Sequence, residues 1–157
     1  MGGACAKALV QLNYRVSCFG RHDIKTPRDD LLSDADVVVS LLPSTSESLK
    51  FFDAERFSKF RPGSSFVNLS RGSVVCEEAL LDCLDKGHLN LAVLDVFATE
   101  PLPHDHRFWT HDRVVVLPHV AAKSDPASCV SIAASNIKQW EETQTVGLGK
   151  VDRNLGY

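Results

Sequence analysis

The sequence has no apolar run long enough to span a bilayer and no basic start followed by an apolar stretch, so neither a membrane span nor a secretory leader is expected. It also lacks an excess of either charge. Seventeen basic against 20 acidic side chains leave a net charge of −3, which offers no footprint for nucleic acid and no polybasic patch for a membrane surface. The five cysteines, at 5, 18, 76, 83 and 129, are odd in number and never form C-x-x-C. That spacing fits a reduced, cytoplasmic setting in which the thiols are small packing groups. His104, His106 and His111 stand near Asp105 and Asp112 without H-E-x-x-H spacing, so the segment reads as a polar loop and no metal site is expected. There is no G-x-S-x-G elbow to support a hydrolase triad. Internal repeats and low-complexity segments are missing too. What is present is ordinary for a globular domain: 157 residues, 44% hydrophobic and 24% charged, enough to bury a core without disulfides or metals.

Apolar periodicity alternates between helix and strand. Ala4, Cys5, Ala8, Leu9 and Leu12 share one helical face, Asn13-Tyr14 ends that helix, and Val16 to Phe19 reads as a short strand. Residues 20–34 are polar and read as a loop with one helical turn. Asp36 to Leu42 is a β-branched run stopped by Pro43, of the kind that suits a strand buried on both faces of a parallel sheet. Leu49, Phe52 and Phe57 give residues 46–60 helical spacing, and Pro62-Gly63 is a turn. Ser65 to Leu69, Leu91 to Val96 and Val114 to Leu117 read as strands. Glu77 to Lys86 reads as a helix with Gly87 at its C′ position, and Asp125-Pro126 opens a long helix carrying Val130, Ala133, Ala134, Ile137 and Trp140. Strands alternating with helices imply βαβ units and a doubly wound α/β fold with a parallel sheet.

Ligands of such sheets bind beyond the carboxyl ends of the strands. Four strands end there in distinctive segments: Leu42-Pro43-Ser44-Thr45, Ser70-Arg71-Gly72, Phe97 to Pro101, and Pro118-His119-Val120-Ala121-Ala122. A parallel sheet brings Arg71, Glu100 and His119 to one edge. Arginine holds a carboxylate with a planar fork. Histidine gives a proton to a carbonyl oxygen as hydride reaches its carbon, and a neighbouring glutamate fixes one ring nitrogen and favours the imidazolium. Reduction of a 2-keto acid needs these functions and a nicotinamide. Each residue alone also has a plain reading, as a carbonyl cap, a surface pair or a turn.

Asn68-Leu69-Ser70-Arg71-Gly72, Leu94-Asp95-Val96-Phe97 with Glu100-Pro101-Leu102-Pro103, and Pro118-His119-Val120-Ala121-Ala122 together resemble the three signature segments of the D-isomer-specific 2-hydroxyacid dehydrogenases. Phe108-Trp109-x-His111 and the ending Val151-Asp152-Arg153-x-x-Gly156-Tyr157 are most similar to the glyoxylate/hydroxypyruvate reductase A branch. The resemblance implies that Arg71 binds the substrate carboxylate and carbonyl, that His119 is acid in reduction and base in oxidation, and that Glu100 pairs with His119. It places Asp95 near the nicotinamide carboxamide. It assigns Leu42, Pro43, Leu69, Ser70 and Ala121 to the cofactor cleft, beside Arg71 and His119. The partners it implies are a small 2-keto acid and, in the full-length parent, a second copy in a homodimer.

Three departures qualify the likeness. The family's G-x-G-x-x-G fingerprint follows a first strand, whereas here Gly2 aligns with its third glycine, so a Rossmann-type domain truncated at the N-terminus is expected. The family's substrate domain has no counterpart. The segment from Arg21 to Ala35 is shorter than the family's. The expected organisation is a nucleotide-binding domain over 1–142 lacking its first strand, then a tail over 143–157. The Val16–Phe19 strand is followed by Gly20-Arg21-His22 with no carboxylate. Arg21 suits a 2′-phosphate, so NADP(H) is expected over NAD(H), which stays possible. Two other readings stay open: a catalytically incompetent nucleotide-binding or dimerisation fragment, and a flavodoxin-like domain.

Overall fold

Four parallel strands in the order β1-β2-β3-β4 form the single sheet of the computed structural model, which describes residues 1–20, 28–122 and 124–151. The strands are β1 (Val37–Ser40), β2 (Ser64–Asn68), β3 (Leu89–Leu94) and β4 (Val114–Val116). The helices, in chain order, are α1 (Gly2–Gln11), α2 (Asp29–Asp34), α3 (Ala54–Ser58), α4 (Glu77–Asp85) and α5 (Pro126–Thr143). The chain divides into two units, Met1–His119 and Val120–Tyr157. The first holds the whole sheet of this Rossmann-type fold.

Register decides what each strand offers. Val38 and Ser40 pair with Phe66 and Asn68, which pair with Ala92 and Leu94, which in turn lie beside Val114 and Val116. Because side chains alternate along a strand, these residues share one face. On that face sits a core built largely of phenylalanine. Seven of the eight phenylalanines, all but Phe19, are buried. Phe52, Phe57, Phe60 and Phe66 pack with ring centroids 4.9 to 6.1 Å apart in tilted and edge-on pairs, which aromatic quadrupoles favour. The helix α4 closes the layer with Ala79, Leu80, Leu81 and Leu84, all buried. Glu77 and Glu78 stand in its first turn, where the helix dipole favours carboxylates, and Gly87 follows its end at φ 70°.

Several sequence expectations need correction. Val16–Phe19 forms no strand, since it has no hydrogen-bonded neighbour among the described strands and a strand without a partner leaves its backbone unsatisfied. The run in β1 is buried on one face only: Val37 is 54% and Val39 36% exposed. The helix expected over 46–60 shrinks to Ala54–Ser58. Phe52 instead makes a parallel bridge to Val75, Lys50 turns the chain at φ 49°, and Asp53 caps the helix by accepting Arg56 N–H at 2.9 Å. The third strand begins and ends two residues earlier than expected, because pairing with β2 starts at Ser64 against Leu89.

In the second unit, α5 begins as its sequence dictates. Asp125 accepts Ser128 N–H at 3.0 Å and Pro126 occupies the first helical turn. Gln144 ends the helix in the left-handed conformation at φ 58°.

Candidate active site

The carboxyl ends of β2, β3 and β4 carry Arg71, Glu100 and His119 on the segments that follow them. The first of these is set by a buried polar network. Asn68 points into the filled face at 1% exposure, where an amide without partners would be costly. Its Oδ1 accepts Ser70 N–H at 3.2 Å and the Ser70 hydroxyl at 2.7 Å. Its Nδ2 donates to the Arg71 carbonyl at 3.1 Å. Since the Ser70 proton is committed to Asn68, the Ser40 hydroxyl, 3.0 Å away, donates to Ser70 Oγ. This network ties β1 to the turn after β2 and leaves the Arg71 side chain exposed, with one guanidinium nitrogen donating to the Ser70 carbonyl at 2.6 Å.

Gly72 lets that turn approach the segment after β3. A Cβ there would stand 1.8 Å from the Phe97 carbonyl carbon and 2.4 Å from Ala98 N, so no larger residue fits without moving backbone. Across this contact, Glu100 folds back: Oε1 accepts Phe97 N–H at 2.9 Å and Oε2 lies 2.8 Å from His119 Nδ1. The Phe97 amide above all, then His119 and Arg71, hold the Glu100 carboxyl below the usual glutamate range, against an opposing push from burial. An ionised carboxylate can only accept, so Nδ1 of His119 carries the proton in this pair and Nε2 is left facing away from Glu100. His119 sits at φ 55°, a left-handed conformation uncommon outside glycine and frequent at functional positions. Its side chain is 52% exposed.

The residues expected to line a cofactor cleft fall into three groups. Leu42, Pro43 and Leu69 are half-buried at the ends of β1 and β2. The Pro43 carbonyl accepts the Ser48 hydroxyl at 2.6 Å, and Ser44 Oγ lies 3.0 Å from Ser73 Oγ, so the two loops are tied together. Ser70 and Asp95 are buried, and Asp95 N–H donates to the Asn68 carbonyl at 3.0 Å. Gly2 and Ala121 make up the third group. A Cβ on Gly2 would meet nothing within 4 Å, and Ala121 belongs to the unit Val120–Tyr157. Arg21 lies outside the described residues.

The described residues therefore fit the nicotinamide end of a dinucleotide, with half-buried apolar groups beside an exposed cation and imidazole. They do not supply a pyrophosphate cradle at Gly2. Two of the three histidines in the 104–111 loop face carboxylates: His106 faces Glu77 at 3.6 Å and His111 faces Asp85 at 3.3 Å. Phe108 is a core residue 1% exposed and 6.2 Å from Phe97. Sequence reasoning passed over Asn68, Gly72 and Glu77 as site residues. For Asn68 a signal was available, a polar residue at an inward position of a buried strand.

Comparison with known proteins agrees with these motifs. The profile of the D-isomer specific 2-hydroxyacid dehydrogenase NAD binding domain matches residues 1–121. The chain is 36% identical to a glyoxylate/hydroxypyruvate reductase A of Photorhabdus laumondii, aligning over its whole length with 53% of that protein. The chain thus spans about half the length of the curated relatives it matches. Among solved structures it resembles a D-isomer specific 2-hydroxyacid dehydrogenase of Xanthobacter autotrophicus in complex with NADPH and MES. The identity there is 38% and the TM-score 0.81, over 90% of this chain and 57% of that one. It also resembles an NADPH-dependent glyoxylate/hydroxypyruvate reductase of Sinorhizobium meliloti in complex with NADP and sulfate, with 31% identity and a TM-score of 0.86 over 98% of this chain and 53% of that one.

Proposed function

The chain belongs to the D-isomer specific 2-hydroxyacid dehydrogenases, and we propose from that premise that it supplies the nicotinamide-binding, proton-transferring half of an NADP(H)-preferring reductase of small 2-keto acids such as glyoxylate and hydroxypyruvate. One observation carries the reading: the 2.8 Å Glu100–His119 pair stands at the same sheet edge as the exposed Arg71. When bound, the nicotinamide supplies a hydride to the keto carbon. Arg71 grips the substrate carboxylate through its guanidinium fork. His119, oriented by Glu100 through Nδ1, gives the Nε2 proton to the carbonyl oxygen, and the product is the 2-hydroxy acid. In oxidation Nε2 takes that proton back. Leu42, Pro43, Leu69, Ser70, Asp95 and Ala121 would hold the nicotinamide, Gly2 at the start of α1 what remains of the phosphate cradle, and Arg21 a 2′-phosphate. Relatives crystallised with NADPH and NADP support the cofactor preference. The organisation as a nucleotide-binding domain over 1–142 with a tail, the homodimer and the cytoplasmic setting are parts of the same reading. Among the described residues no helix is long and apolar enough to cross a membrane.

The test is steady-state NADPH oxidation with hydroxypyruvate, on protein expressed from the full reading frame. His119→Ala is expected to lower kcat by roughly a hundredfold to ten-thousandfold, the usual worth of a general acid. Unimpaired turnover in that variant would remove His119 from the reaction. A second reading, a nucleotide-binding or dimerisation fragment without activity of its own, is favoured by the open space around Gly2. NADPH binding without turnover by the 157-residue chain supports it, and turnover by that chain alone ends it.

A further inference from the structure

Glu77 opens α4, where any carboxylate complements the helix dipole. Its side chain makes more particular contacts. Oε1 accepts Ala98 N–H at 2.9 Å. Oε2 lies 3.6 Å from His106 Nε2, with the two side chains only 20% and 22% exposed. His106 Nδ1 accepts Phe108 N–H at 3.2 Å, so the ring proton sits on Nε2, towards Glu77. The neighbouring amide, Phe97 N–H, donates to Glu100. Two consecutive amides are thus held by two carboxylates, one from α4 and one from the loop that serves His119. The carbonyl between them is the group that Gly72 approaches most closely. The Phe97–Ala98 peptide is therefore the point where the Arg71 turn, the Glu100 loop and α4 meet.

We propose that Glu77 is a positioning residue for Arg71, Glu100 and His119: by binding Ala98 N–H it fixes the Phe97–Ala98 peptide so that Phe97 N–H and His119 can share the Glu100 carboxylate. The proposal rests on the reading of those three residues as the reaction centre. A peptide is planar, so a rotation that loosens Ala98 N–H also swings the Phe97 carbonyl against Gly72 and alters the backbone on which Phe97 N–H is aimed. His106 keeps the second Glu77 oxygen engaged, so the carboxylate holds one orientation.

The Glu100 carboxyl reports on this clamp, because Phe97 N–H is the largest cause of its lowered pKa, ahead of His119 and Arg71. Its titration can be followed by carbon NMR in the whole chain. In Glu77→Ala the Glu100 midpoint is expected to rise towards the ordinary glutamate value. In Glu77→Gln, whose amide oxygen still accepts Ala98 N–H, it stays near wild type. Glu78→Ala, which removes an exposed carboxylate from the same helical turn, leaves it unmoved. An unshifted midpoint in folded Glu77→Ala overturns the proposal. A second measurement needs no variant. The Ala98 amide, hydrogen-bonded to Glu77 at 2.9 Å, should exchange at least about tenfold more slowly than a free amide. An unprotected Ala98 amide overturns the proposal as well.

In the protein from the full reading frame, Glu77→Ala should lower kcat on the order of tenfold to a hundredfold, as for an ångström-scale misplacement. Its KM for NADPH should stay unchanged and Glu77→Gln should restore most of the rate. A Glu100→Gln variant separates the two claims. If it turns over like wild type, the reaction-centre reading fails. If it is damaged while Glu77→Ala keeps full kcat, the positioning role fails.

Discussion

The two faces of the sheet are made from the same four strands and are occupied very differently. On one, Phe66, Ala92 and Leu94 are buried against α3, α4 and the phenylalanine cluster. On the other, the register lines up Val37 with Ser65, and Val39 with Val67, Val93 and Val115. There Val37, Val39 and Val115 keep 54%, 36% and 42% of their surface. Neither α1 nor α5 contains a buried residue. The polar groups that set the candidate site, Ser40, Asn68 and Ser70, root in the filled face. A functional group is only as well placed as the packing beneath it, and here the candidate site is rooted in the face that carries the packed core. Gly2, aligned with the third glycine of the dinucleotide fingerprint, stands in open space.

That contrast is tested most heavily by emptying the filled face. Leu80 is fully buried on α4. Leu80→Ala should cost about 3 kcal/mol, a transfer loss plus a cavity that close packing cannot collapse. Leu9→Ala on α1, a helix with no buried residue, should change stability by less than about 0.5 kcal/mol. Urea unfolding of both variants measures the difference. Equal losses would mean that α1 is as firmly packed as α4.

A milder test uses pH at the point where the site joins the core. The folded-state pKa of Glu100 lies below its ordinary value of 4.5. Its contribution to stability is therefore complete above that value and is lost as pH falls through the lower folded-state value. Glu100→Gln should be less stable than wild type at neutral pH, with the gap closing as the solution is acidified below about pH 4.5. The Glu100 side chain is 38% exposed, so solvent screening keeps the effect small. Denaturation midpoints of the two proteins across that range read it directly. A gap that survives at acid pH would remove the Phe97 amide and His119 as its cause.

The parts legible in sequence were those fixed by local chemistry. Gly87 and the acidic first turn delimit α4 because capping acts within a turn of the helix end. Asp125-Pro126 opens α5 for the same reason. That Arg71, Glu100 and His119 follow strands at one sheet edge was legible because parallel strands deliver their following residues to one edge. What escaped depends on distant partners. Phe52 has helical spacing with Leu49 and Phe57, yet its backbone pairs with Val75. Val16–Phe19 has strand composition, but composition does not provide a neighbour. A run such as Val37 to Val39 cannot say how many faces are covered, since the covering helices lie elsewhere in the chain. Glu77 read as a helix start, which it is. Its bond to Ala98 spans 21 residues and leaves no local pattern.

The smallest expected effect separates the faces most cleanly. Val37 and Val38 are neighbours on the edge strand β1, so they share its strand propensity and its unfolded-state contribution. They differ in direction. Val38 packs against the core, whereas Val37 points the other way. Valine to threonine preserves shape and β-branching and adds one hydroxyl, whose cost depends on whether water can still reach it. Val38→Thr should cost about 1–2 kcal/mol for a half-buried hydroxyl without a designed partner. Val37→Thr should stay within about 0.5 kcal/mol. Because strand propensity cancels between neighbours, the difference between the two unfolding free energies reports the covering of each face alone. Equal costs would mean that the Val37 face is dry in solution, and the contrast between the two faces would have to be withdrawn.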